Sequence, residues 1–302
     1  MTIQLTWKTS PRLAAIHLAY CGWKYPQSVL WSDSEQEQLA SSLWGECKNL
    51  PVDPMRIWDW LFQLTPDAQS SGELVERLCV RCLAHNERTP QLHSRIRAGV
   101  LDIERLLGIL HPNFEAVMKL RLGPLKEQWE AYGPGLLYQI SQVVGAELLV
   151  DSAQVYLVTP VMGGLGWSHL NTNRCHIEAV LTNQHPQLSE VMRLAWLLAQ
   201  LGFERPIYSE RIHADRLPEV AGLSMLPATL WAAEQLGFGQ LTAGSLREAL
   251  EFWKINTTAR SPVQLEALAR VLLVWWETFT SGKVDWSVAI TGLDRMISME
   301  GE

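Results

Sequence analysis

Residues 153–159 read Ala-Gln-Val-Tyr-Leu-Val-Thr, residues 174–181 read Arg-Cys-His-Ile-Glu-Ala-Val-Leu, and Met162-Gly163-Gly164-Leu165-Gly166 lies between them. β-Branched and aromatic residues crowd the first run, which Asp151 and Pro160 bound. The pattern predicts two strands joined across a flexible glycine turn. A connection without a helix predicts that the strands pair antiparallel. His185-Pro186 then opens a predicted helix bearing Leu188, Val191, Met192, Ala195, Trp196, Leu198, Ala199 and Leu201. These cover more than one face, so the helix is expected to be buried on most sides.

Outward from this centre the pattern turns helical. Upstream, a helix is expected from Pro11 to Tyr25, and Ser34-Glu35-Gln36-Glu37 before Leu39 and Leu43 reads as the acidic start of another. Asp53-Pro54 sets a cap and a first-turn proline before Ile57, Trp58, Leu61 and Phe62, in a helix ending before Pro66. Ser71 to Ala84 spaces Leu74, Leu78 and Cys82, and Val75 and Cys79, by three and four. Further helices are predicted over 91–110, 112–122 and 125–132, which makes the first 145 residues helical throughout. Downstream, an irregular stretch over 204–224 precedes helices at 227–236, 245–254, 262–279 and 286–297. Leu201-Gly202-Phe203 and Leu236-Gly237-Phe238 both read as Schellman caps.

The expected class is α+β, predominantly α-helical, with a small antiparallel hairpin or sheet packed against helices. No stretch rich in Gly, Ser and Pro separates folding units. One compact domain over 1–302 is expected, with a helical N-terminal part (1–145) and a hairpin-plus-helices core (146–302).

A chain of 302 residues, 47% of them hydrophobic, can bury a sizeable core. A formal charge of -7 with only 19% charged residues disfavours binding along phosphate backbones, so nucleic acid is not an expected partner. Residues 1–10 lack an apolar run of signal-peptide length, and no window approaches the ~20 apolar residues of a membrane span. A cytoplasmic protein without membrane partners is expected. Five scattered cysteines, Cys21, Cys47, Cys79, Cys82 and Cys175, suit reduced thiols. Fourteen tryptophans are about three times an ordinary share. Trp58, Trp60, Trp196, Trp231, Trp253, Trp275 and Trp276 sit in apolar helical patterns and are expected in the core, whereas Trp23, Trp31 and Trp44 could cover a groove or a partner.

Several motifs carry little chemistry. Cys79-x-x-Cys82 falls inside a predicted helix, where a thiolate gains nothing from a helix N-terminus, so both thiols are read as core. Gly163-Gly164-x-Gly166 is followed by a strand and not by the helix a phosphate loop requires, which leaves a hinge or a close approach to a ligand. Gln128 to Gly135, Gln-Trp-Glu-Ala-Tyr-Gly-Pro-Gly, could line a cleft but reads first as a turn at a helix end. No nucleophile elbow, phosphate loop or complete dinucleotide fingerprint occurs. His169, His176, His185 and His213 fall within 45 residues and are the candidate metal ligands, with His176 and Glu178 on one strand face.

The order strand, glycine-rich turn, strand, short loop, buried helix resembles the core of zincin-type metalloproteases. In that family the edge strand borders the cleft and the following helix carries His-Glu-x-x-His, two zinc ligands and a general base. Setting the glutamate on Glu190 puts Ser189 and Arg193 at the ligand positions. Serine is a poor zinc ligand at neutral pH, and a guanidinium repels a cation. The resemblance, over about 150–205, therefore implies a zincin-like scaffold without its metal: a pseudoenzyme with no cofactor that binds a protein or peptide through Arg193, Glu190, Glu178 and His176. Three alternatives stand beside it. One is a peptidase-like hydrolase using Glu190, Glu178 and nearby histidines. Another is a structural subunit docking through its N-terminal tryptophans. The last is an ordinary helix with an exposed Glu190–Arg193 pair.

Overall fold

The computed structural model describes residues 3–26, 43–170, 172–255, 260–282 and 284–299. The helix start expected at Ser34–Glu37, and Trp31, lie outside them. The chain is mostly helical (67%) with a small four-stranded sheet, and the class is α+β. The strands are β1 (Gln4–Thr9), β2 (Ser152–Val158), β3 (Gly166–His169) and β4 (Arg174–Glu178). The main helices are α1 (Pro11–Lys24), α2 (Pro54–Leu64), α3 (Ser71–Cys82), α4 (Pro90–Leu110), α5 (Phe114–Val144), α6 (Glu190–Ala199), α7 (Leu217–Gln235), α8 (Ala243–Phe252), α9 (Pro262–Ser281) and α10 (Trp286–Met299). Among the described residues no helix is long and apolar enough to cross a membrane.

The chain divides into two compact units. One comprises Lys8–Arg121 with Tyr156–Gly163, and the other Met1–Trp7, Leu122–Val155 and Gly164–Glu302. In the first unit local signals fix the helix starts. Ser10, Asp53, Ser70 and Thr89 each accept a backbone N–H of the turn they cap, and a proline follows three of them. Arg12 pairs with Glu104 and donates to the Ala68 carbonyl (2.9 Å), which ties α1 to α4 and to the 3-10 turn that follows α2. Trp23, Trp44 and Trp58 stack at 4.8–6.2 Å, with Tyr20 edge-on to Trp58. Cys79 and Cys82 are buried as expected, and burial pushes the Cys82 thiol up to about 12.

The sheet order is β1-β2-β4-β3, and β3 pairs antiparallel with β4, with Trp167 opposite His176 and His169 opposite Arg174. The sheet as a whole is mixed and mostly parallel. The expected antiparallel pairing of the two predicted strands is thus corrected. The glycine-rich connection contains a strand of its own, β3, so β4 returns alongside β2 in the same sense. A second correction is β1. The first 145 residues are not helical throughout, because Leu-Thr-Trp-Lys-Thr alternates over Leu5–Thr9 with the β-branched and aromatic content of a strand.

The second unit revises several helix boundaries. The helix expected from Pro186 begins at Glu190, since Asn183 Oδ1 accepts the Glu190 N–H (3.1 Å) and the chain before it bends. The helices expected over 112–122 and 125–132 are one, α5, with Pro124 and Pro134 inside it. Gly133 does not break this helix. It leaves room for the Trp129 ring four residues earlier, which a Cβ would strike. The last eight residues of the stretch read as irregular, 217–224, belong to α7, whose residues from Val220 to Leu230 are all buried, so tertiary packing overrides the proline. Gly237, at φ +78, caps α7 as a Schellman turn with Phe238 N–H on the Ala233 carbonyl (3.1 Å). Gly202 does not repeat it: it lies in a 3-10 turn where its missing Cβ admits the Leu148 carbonyl. Gly202→Ala should therefore lower stability by about 2 kcal/mol, because the oxygen belongs to backbone and cannot rotate away. The midpoint of a urea titration would register this, and an unchanged midpoint would mean that the backbone yields.

Candidate functional site

The residues singled out on β4 and α6 meet in the interior of the second unit. Glu178 ends β4, Leu165 precedes β3, and Glu190 and Arg193 occupy the first turn of α6. Because 190 and 193 are three apart, their side chains share one helix face, and that face turns toward the β3–β4 pair. Glu178, Glu190 and Arg193 are 0%, 3% and 0% exposed. The exposed Glu190–Arg193 pair considered above is accordingly corrected: it is an interior pair.

The guanidinium of Arg193 organises the site. Nη1 donates to the Leu165 carbonyl (2.9 Å), and Nη2 donates to the Glu178 carbonyl (2.8 Å) and to the Glu190 carboxylate. Leu165 and Glu178 also bond to each other: the Glu178 N–H donates to the Leu165 carbonyl (3.0 Å), and the Leu165 N–H donates to Glu178 Oε2 (3.0 Å). A planar fork with five donors suits this task, since it reaches two carbonyls and a carboxylate at once. Ser168 adds a second tie, its hydroxyl donating to the Leu197 carbonyl (2.7 Å). Gly166 lets the sheet approach α6, because a Cβ there would press on the Leu197 side chain at 2.6 Å.

Glu190 is left only partly satisfied. Oε1 makes no hydrogen bond among the described residues, and neither does Arg193 Nε. Burial pushes the Glu190 carboxyl above the usual range, the Arg193 charge draws it back, and the Glu178 charge raises it again. Ser189 sits at the N-cap of α6, but its hydroxyl makes no cap bond.

The four candidate histidines divide. His169 and His176, 2% and 1% exposed, face each other across β3 and β4 with Nε2 and Nδ1 3.0 Å apart. Burial and, secondarily, the nearby Arg174 charge hold His169 down to about 3. His185 lies 3.8 Å from Glu248, and His213 is exposed beside Asp215 (3.4 Å). Among the described residues no metal-sized grouping draws on any of the four. Sequence reasoning missed Leu165, which acts through its backbone and leaves no side-chain signal, and Ser168, whose partner is a carbonyl 29 residues on. Comparison with protein-family models, curated proteins and solved structures finds no match to this chain.

Proposed function

We propose that this chain is a non-catalytic binding or scaffolding protein on a zincin-like body that works without a metal. The observation that carries the reading is the buried Arg193 guanidinium. It stands one turn into the helix that follows the last strand, at a position where the family motif needs a neutral imidazole, and its donors already serve two carbonyls and Glu190. A fixed cation there opposes a second cation. The glutamate that would act as general base is instead an ion-pair partner. The placement of β3 supports the reading: it is one of the two edge strands, antiparallel to β4, and β4 leads into α6.

One observation favours the hydrolase alternative, namely the raised carboxyl of Glu190, since catalytic carboxylates are often shifted by burial. Against it, Glu190 is 3% exposed and buried under its own ion-pair partner. Purified without chelators, the protein should hold no stoichiometric zinc by elemental analysis and should not cleave a casein substrate, with or without added zinc. One equivalent of zinc, or cleavage abolished by Glu190→Gln, would overturn the proposal in favour of the hydrolase.

A further inference from the structure

Between β4 and α6 the chain makes a loop of eleven residues, 179–189, none of them in a helix or strand. Its two ends meet on one nitrogen. Arg193 Nη2 donates to the carbonyl of Glu178 (2.8 Å), where β4 stops, and to the carboxylate of Glu190, where α6 starts. A surface loop whose ends are joined is an Ω-loop, a form that is frequently functional. Val180 and Leu188 are buried (5% and 1% exposed), whereas the residues between them are exposed apart from the half-buried His185. The two buried residues anchor a strap over 181–187.

Asn183, on the strap, reaches the site directly. Its Oδ1 accepts the Glu190 N–H (3.1 Å), so the strap folds back onto the turn of α6 that bears Glu190 and Arg193. His185 makes the outer fastening, on α8. Its Nδ1 accepts the Gln187 N–H (3.2 Å), which leaves Nε2 facing Glu248 Oε2 at 3.8 Å, and its ring lies 5.5 Å from that of Phe252. At 3.8 Å the Glu248 contact is electrostatic and too long for a hydrogen bond. The end of α8 also holds the facing lip of the site. A Cβ on Gly164 would strike the Phe252 carbonyl at 2.1 Å, and the next residue, Leu165, is the one whose carbonyl takes Arg193 Nη1 (2.9 Å).

We infer that the strap over 181–187 is a lid on the Arg193 site, hinged at Val180 and Leu188 and latched shut by His185 on the end of α8. Opening lifts Asn183 off the first turn of α6 and admits solvent, and then a ligand, to the guanidinium. A half-exposed charge contact and one ring contact make a latch that releases easily, and a hinge needs only a few residues at the ends of the moving segment. This lid rests on the reading of the Arg193 site as a binding site, whose Glu178, Glu190 and Arg193 are at most 3% exposed when it is shut.

Access to Arg193 can be measured on the full chain with phenylglyoxal, which modifies exposed guanidinium groups, each arginine being read by peptide mass spectrometry. In the unaltered protein Arg193 should react far more slowly than the exposed Arg270. His185→Ala should speed modification of Arg193 roughly fivefold, the range for losing one partly exposed charge contact together with a ring contact. Glu248→Gln should speed it less, because the imidazole stays on Phe252. Hydrogen exchange over 181–190 should rise in both variants. The buried thiols Cys47 and Cys175 report general loosening, and their reaction with an aromatic disulfide reagent should not change. An unchanged Arg193 rate in His185→Ala, or thiol reaction rising in step with it, would overturn the lid. Zinc content and casein cleavage play no part in these readouts, so failure of the lid is distinct from failure of the binding reading.

Discussion

Arg193→Ala should cost about 3–5 kcal/mol of unfolding free energy, the range for removing one partner of a buried ion pair. The substitution strands the Glu190 carboxylate in the interior and deprives the Glu178 carbonyl of the donor it has on α6. Arg193→Lys should recover only part of the loss, since an ammonium cannot reach two carbonyls and a carboxylate in the geometry of a planar fork. Arg193→Met combined with Glu190→Gln should be less damaging than Arg193→Ala alone, because no uncompensated charge remains. Guanidinium titrations followed by tryptophan emission would report all three. A loss below about 1 kcal/mol for Arg193→Ala would mean that the guanidinium does not hold α6 to the sheet.

This ordering also bears on function. A side chain kept for binding at an open cleft could be removed with little effect on folding, whereas Arg193 is a tie between the start of β3, the end of β4 and the first turn of α6. The binding role expected for Arg193, Glu190, Glu178 and His176 therefore requires the site to open, because each is at most 3% exposed.

The parts of this arrangement that were legible in the sequence are those with local causes. Side-chain caps followed by proline, as at Asp53-Pro54 and Ser261-Pro262, mark helix starts because the cap bond and the fixed φ act within one turn. The β-branched run at Ala153–Val158 and the apolar wrap of α6 declare themselves for similar reasons. What escaped depends on distant neighbours. β3 has only four residues and lies in a glycine-rich run, and its strand character comes from pairing with β4. Pro124, Pro134 and Pro227 read as breaks, yet α5 and α7 run through them, because packing outweighs the local penalty. The candidate site divides in the same way. The Glu190–Arg193 spacing was visible, but whether it faced water or the interior depended on Leu165 and Glu178, which meet the guanidinium through backbone carbonyls.

Between pH 6.5 and about 3, stability should fall as the solution is acidified, by on the order of 1 kcal/mol per pH unit from His169 alone. The sign follows from the depressed folded value. Over that range the unfolded chain, titrating near 6.5, holds a proton that the buried imidazole refuses, so the unfolded state gains with each added proton. The cause is the loss of water around a ring that is 2% exposed, with the Arg174 charge adding to it, and His176 as the adjoining partner at 3.0 Å. Glu190 acts in the opposite sense. Its carboxyl is raised in the folded state, so above 4.5 it favours the folded form more at lower pH, which shallows the slope there. His169→Phe in a Glu190→Gln background isolates the histidine: relative to Glu190→Gln alone, the double variant should lose most of the acid slope between pH 6 and 4. Denaturant midpoints measured across that range by circular dichroism give the comparison. Parallel curves for the two proteins would rule out His169 as the source of the acid sensitivity.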